Sequence, residues 1–173
     1  DLEAIAQPLD FIGVNYYTRS VLKENKADPS RPHALEAPKS NRTDIGWEVI
    51  PSGLTDLLVW LNETYRPNDI YITENGAAYH TPPDDSGRIP DVERERYLHS
   101  HLNAILDARE MGVPVSAWFV WSLMDNFEWG FGYGQRFGIV WVDYETLERT
   151  IKDSGLWVQK LCKSRTVVAE EQS

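Results

Sequence analysis

The chain has 173 residues, 42% of them hydrophobic and 25% charged, which is the make-up of an ordinary globular protein with a real core. Its 17 Lys and Arg against 27 Asp and Glu give a formal net charge of -10, which argues against nucleic acid and anionic membrane surfaces as partners. Cys162 is the only cysteine, so an intrachain disulfide is excluded and a cytoplasmic setting is the expectation, while no apolar run reaches the length of a membrane span.

The opening residues DLEAIA read as the tail of a helix, so a piece of a longer polypeptide is expected from the first line. Phe11 to Tyr17 (FIGVNYY) predicts the first strand. Residues 18 to 46 follow as a long polar connection rich in Pro, Lys, Asp and Asn. After a turn over Pro51 to Gly53, Thr55 to Tyr65 predicts a helix with Leu54, Leu57, Leu58 and Leu61 on one face, ended by Pro67 and Asn68. Ile70 to Glu74 is the second strand and Val92 to Met111 the longest helix. Its stripe is Leu98, Leu102 and Ile105, with Asp91 as N-cap and Gly112 as the stop. Val113 to Trp121 (VPVSAWFVW) is apolar throughout, as a strand buried on both faces should be. Gly138 to Thr150 predicts a hairpin around Tyr144-Glu145-Thr146, and a last helix starts at Ile151. Alternating strands and helices predict a parallel α/β sheet. Three strands fall short of the eight that a closed barrel needs, so a complementary chain or a missing N-terminal part is expected to cover the core.

Two stretches suit chemistry on a sugar. In IYITENG an apolar strand ends on Glu74. A buried carboxylate is costly, so one at a strand exit belongs in a cleft, although a lone Glu is more often a salt-bridge partner. Trp121 to Trp129 (WSLMDNFEW) combines two indoles with Asp125, Asn126 and Glu128. An indole face stacks on pyranose C–H groups and a carboxylate accepts two hydroxyls. Asn15, Tyr16 and Tyr17 lie at the first strand's exit, where one Tyr can hydrogen-bond Glu74 while its neighbour faces the barrel wall. Trp47 stands alone in a loop, where packing and binding are both open readings. The GFGYG run lacks a strand-to-helix phosphate loop, His99 and His101 face different ways, and neither HExxH nor Gly-x-Ser-x-Gly occurs. No metal or organic cofactor is therefore expected.

LDFIGVNYYT, GWEVIPSGL, IYITENGAA and the run from VPVSAWFVWSLMDNFEW to DSGLW occur in this order, and together they resemble the family-1 β-glycosidases over nearly the whole chain. The resemblance implies that residues 1–173 are the C-terminal three strand–helix units of a (β/α)8 barrel and part of one catalytic domain. It implies a retaining exo-β-glycosidase of the β-glucosidase type. Glu74 would be the nucleophile, Tyr17 its hydrogen-bond partner and Asn15 its neighbour near the glycosidic bond. Trp121 would stack under the sugar, Glu128 take the 4- and 6-hydroxyls, Trp129 donate its indole N–H, and Trp47 line the leaving-group side.

The family's acid/base Glu lies in an Asn-Glu-Pro motif, which does not occur in these 173 residues. The isolated chain is therefore expected to carry the nucleophile half only and to be inactive alone. The alternatives are a non-catalytic sugar-binding remnant and a half-barrel that needs a complementary chain. Glu128 and Trp129, with no Lys or Arg between residues 122 and 135, imply a non-phosphorylated β-glycoside. Glu rather than Gln at position 74 implies an ordinary O-glycosidase.

Overall fold

The computed structural model describes residues 1–35, 38 and 41–167. A short exposed helix, α1 (Leu2–Ile5), leads into β1 (Ile12–Tyr16). Next come the hairpin strands β2 (Val21–Lys23) and β3 (His33–Leu35), then α2 (Pro51–Tyr65) and β4 (Ile70–Asn75). The chain continues through α3 (Val92–Glu110), β5 (Val115–Val120), the hairpin β6 (Val140–Val142) and β7 (Arg149–Ile151), and α4 (Asp153–Ser164). Strands β1, β4 and β5 form one parallel sheet in that order. Each is followed by a helix, as the alternation in the sequence predicts.

The main core lies between this sheet and its helices. Val14, Tyr16, Ile70, Ile72 and Val115 project from the strands onto Leu54 and Leu58 of α2 and Ile105 and Ala108 of α3. Leu54 and Leu58 are one helical turn apart and fully buried, and each contributes about 2 kcal/mol by leaving water. A second cluster joins Tyr97 and Leu98 of α3 to Ala77 and Ile139 beyond the strand ends. The other face of the sheet is open: Gly13 and Asn15 are exposed, and Phe119 is 54% exposed.

Several element boundaries differ from expectation. Pro51 is not a turn residue but opens α2, because Pro at the first helical position lacks only an N–H that the helix leaves unpaired anyway. Helix α2 ends on Arg66 in the left-handed conformation. Asp91 precedes α3 without capping it, since its carboxylate instead takes Arg94 Nε at 2.6 Å and Ser154 Oγ at 2.6 Å. Strand β5 is shorter than expected and is not buried on both faces, because it is the sheet's edge and its inner-facing residues have no cover. The long connection after β1 contains the β2–β3 hairpin, all of whose strand residues are exposed. No helix among the described residues is long and apolar enough to cross a membrane.

Candidate active site

Parallel pairing carries the C-terminal ends of β1, β4 and β5 to one edge of the sheet, and several of the predicted residues lie there. Asn15 is in register with Glu74, and Asn75 with Val120. The Trp121 amide then donates to the Asn75 carbonyl at 2.9 Å. At this edge the Tyr17 hydroxyl donates to Glu74 Oε2 at 2.6 Å. Burial, then the hydrogen bond to Glu74 and its charge, push the Tyr17 phenol well above its ordinary range, so it stays a neutral donor.

Glu128 faces the same place from the loop after β5. Its carboxyl is pushed up by burial and by the negative charge of Glu74, against a hydrogen bond from the Trp121 side chain that favours the charged form. The charge of Glu128 also raises the Tyr17 phenol, by less than burial and Glu74 do. Trp47 packs against Tyr17 with ring centroids 5.5 Å apart, and Phe137 lies 6.0 Å from both rings. Asn15 points from the open face of β1 and accepts from Thr73 Oγ1 at 2.6 Å. Trp129 is 83% exposed, in a 3-10 turn with φ +38°, and among the described residues no hydrogen bond or ring contact ties it to the Tyr17–Glu74 pair. The arrangement offers an open carboxylate oriented by a phenol, a second carboxylate beside an indole, and an aromatic wall. Such a site can bind a polyhydroxylated ring and present it to Glu74.

Asp125 does not face this site. It is 3% exposed, and its carboxylate accepts from Arg136 Nη1 at 2.6 Å, Lys152 Nζ at 2.9 Å and the Gly138 amide at 3.0 Å. An acid with two buried cations within reach is held as their counter-ion, so of the two acids in WSLMDNFEW only Glu128 is open to a ligand. Asn126 likewise turns to Ser122 Oγ and the Met124 carbonyl.

Sequence reading missed the residues behind the site. Arg94 is fully buried on α3, where it pairs with Asp91 and donates to the carbonyls of Ala77, Tyr79, Arg136 and Phe137. It therefore ties the segment after β4 to the segment after β5. Tyr97 and Asn75 are buried beneath Tyr17. Helical spacing was the available signal for Tyr97, four residues before His101 on the stripe that Leu98, Leu102 and Ile105 define. The Gly76 of the Asn-Gly pair is explained by close approach, since a Cβ there would run into the Trp121 carbonyl. The Trp121–Ser122 peptide is cis. Among the described residues, no group of three or more His, Cys, Asp or Glu is placed to hold a metal ion.

Comparison with known proteins places the chain in a family. The model of glycosyl hydrolase family 1 matches residues 1–167. A 1,4-β-D-glucan glucohydrolase of Thermotoga neapolitana is 43% identical over 164 residues, which cover 95% of this chain and 37% of that protein. β-Glucosidase A of Thermotoga maritima is 42% identical, with 95% and 36% covered. A 6-phospho-β-galactosidase of Streptococcus pneumoniae is 36% identical over 185 residues, covering 93% of this chain and 39% of that protein. The solved family 1 β-glucosidase from Thermotoga maritima superposes with a TM-score of 0.93 at 40% identity, covering 97% of this chain and 38% of that one. The chain thus spans a little over a third of the length of the relatives it matches. On the family model and on the identity to these enzymes, the chain belongs to glycosyl hydrolase family 1.

Proposed function

We propose that this chain carries the nucleophile half of a retaining exo-β-glycosidase of the β-glucosidase type. Residues 1–173 would be the C-terminal three strand–helix units of its catalytic barrel. The observation that carries the reading is the Tyr17–Glu74 hydrogen bond of 2.6 Å at the C-terminal edge of a parallel sheet, with Glu128 and Trp121 beside it. Glu74 attacks the anomeric carbon and forms a glycosyl-enzyme while the leaving oxygen takes a proton. Water, deprotonated by the same acid/base, then releases the sugar. The second carboxyl of such enzymes lies about 5–5.5 Å from the nucleophile. We place it outside residues 1–173, because no Asn-Glu-Pro occurs here and Glu128 is assigned to sugar hydroxyls. Positioned proton transfer contributes roughly 10²–10⁴-fold, so the chain without that group is expected to be near-silent. Trp121 would carry the sugar's apolar face, Trp129 donate to a hydroxyl, Trp47 line the leaving-group side and Asn15 flank the reacting bond.

The substrate is a terminal, non-phosphorylated β-glycoside. The similarity to a β-glucosidase solved with glucoimidazole supports a glucose-like ring. The similarity to a 6-phospho-β-galactosidase is outweighed by Glu128, whose charge repels phosphate, and by the engagement of the nearby cation Arg136 with Asp125. No metal or organic cofactor is part of the mechanism, and a cytoplasmic setting is proposed from the single exposed Cys162.

The test uses a nitrophenyl β-glucoside and a 2-deoxy-2-fluoro-β-glucoside, with the chain alone and with the remainder of a family 1 barrel supplied in trans. Turnover only in the second case, with mass spectrometry locating the trapped sugar on Glu74, is the expected result. Turnover by the chain alone would overturn the missing acid/base. Sugar binding without turnover or trapping in either case would make it a binding remnant.

A further inference from the structure

Behind the Tyr17–Glu74 pair runs a chain of buried hydrogen bonds that the proposed chemistry does not use directly. Asn75 follows the nucleophile in β4 and is fully buried. Its amide nitrogen donates to the Tyr16 carbonyl at 2.8 Å and to the Tyr97 hydroxyl at 3.2 Å. Its amide oxygen accepts from Trp118 Nε1 at 3.1 Å. The Tyr97 hydroxyl, on a residue 1% exposed in α3, donates to the Tyr17 carbonyl at 3.0 Å. The Tyr97 ring is in turn stacked on His101, with centroids 3.9 Å apart. Asn75 of β4 and Tyr97 of α3 therefore hold the carbonyls of Tyr16 and Tyr17 where β1 ends, and Trp118 of β5 holds Asn75 in turn.

Packing alone does not call for this. An amide and a phenol buried to this depth are costly unless every group is satisfied, and apolar residues would fill the same space more cheaply. What the polar version adds is direction. Tyr17 is held at its carbonyl by Tyr97 and at its hydroxyl by Glu74, so its backbone cannot rotate without moving the phenol off the carboxylate. A displacement of about 1 Å at a reacting group can cost on the order of a hundredfold in rate.

We propose that Asn75 and Tyr97 are positioning residues: they fix the exit of β1 so that the Tyr17 phenol is aimed at Glu74. The inference rests on the reading of Glu74 as nucleophile, and it adds that residues which touch no substrate set the geometry of that nucleophile.

A double-mutant cycle, in the form of the protein that turns over the nitrophenyl glucoside, tests it. Tyr97→Phe keeps the ring on His101 and removes the hydroxyl. It is expected to lower kcat/KM about tenfold, with KM changing by less than about twofold. In a Tyr17→Phe background the same change is expected to cost less than about twofold, because the group it acts through is gone. Trp118→Phe, which removes the donor to Asn75 and keeps an aromatic ring, is the second arm and carries the test should Tyr97→Phe not fold. Effects that multiply in both cycles, as for independent structural losses, would overturn the proposal. Trapping of the wild-type protein by the fluoroglucoside separates the two levels. No label on Glu74 refutes the functional reading, whereas labelling with multiplicative effects refutes the positioning role alone.

Discussion

Asp125→Ala is expected to be among the most damaging single changes in the loop that carries Glu128. The Asp125 carboxylate accepts from Arg136 at 2.6 Å, Lys152 at 2.9 Å and the amides of Gly138 and Val142 at 3.0 and 3.4 Å. Removing it leaves two buried cations facing one vacated space. Breaking a buried pair from one side costs about 3–5 kcal/mol. Arg136 keeps the Val142 carbonyl at 2.9 Å and its stack at 3.5 Å over Trp141, so we place the loss near 4 kcal/mol. Lys152→Met is the contrast. It leaves Asp125 with Arg136 and both amides, and it removes an ammonium that burial and the Arg94 charge already push down to about 8 against the pull of Asp125. Its expected cost is about 1 kcal/mol or less. Urea unfolding with a common slope measures both losses. The folded value of Lys152 lies below the ordinary 10.5, so the unfolded chain binds the extra proton between pH 8 and 10.5. Wild-type stability should therefore gain a rising contribution across that window, and Lys152→Met should lose it. Equal losses for the two variants, or less than about 1 kcal/mol for Asp125→Ala, would refute the counter-ion argument.

Two further outcomes follow from close packing and burial. Gly76→Ala places a methyl group against the Trp121 carbonyl at the junction of β4 and β5, and should lower stability by about 3 kcal/mol and abolish trapping at Glu74. Circular dichroism melting and the fluoroglucoside label read the two effects. Burial lowers the His101 imidazole from 6.5 to about 4, so it is neutral when folded and the unfolded chain takes the proton first. Its contribution is present above pH 6.5 and is lost as pH falls towards 4, a drop of about 3 kcal/mol that His101→Phe should remove in pH-dependent urea titrations.

What could be read from the amino acids follows the range of the forces involved. Glu74 stood out because a carboxylate at the end of an apolar strand is a local anomaly. Helix α3 stood out because its stripe repeats within itself. The start of α2 was misread because Pro-Ser-Gly suits a turn and a first helical turn equally, and only the packing of Leu54 decides between them. The β2–β3 hairpin left no trace because every one of its strand residues is exposed, so no alternation of burial exists to be seen. Asp125 looked like a ligand group because its partners stand 11 and 27 positions further on. Asp91, similarly, is engaged by the Arg94 side chain and by Ser154 from α4 instead of by the first amides of its own helix. In the candidate site the residues proposed to face a ligand stood out one by one. Those that hold them did not, since their hydrogen bonds join segments distant in sequence.

The convergence of four main-chain oxygens on Arg94 has a consequence for redesign. A planar, five-donor cation is the common fastener of the stretch after Glu74 and the stretch after Glu128, and a lysine could not span both. Remodelling either stretch to admit a different sugar pulls on the other through a single guanidinium. Altered selectivity and altered reactivity should therefore arrive together, and separating them would require a new anchor for one side.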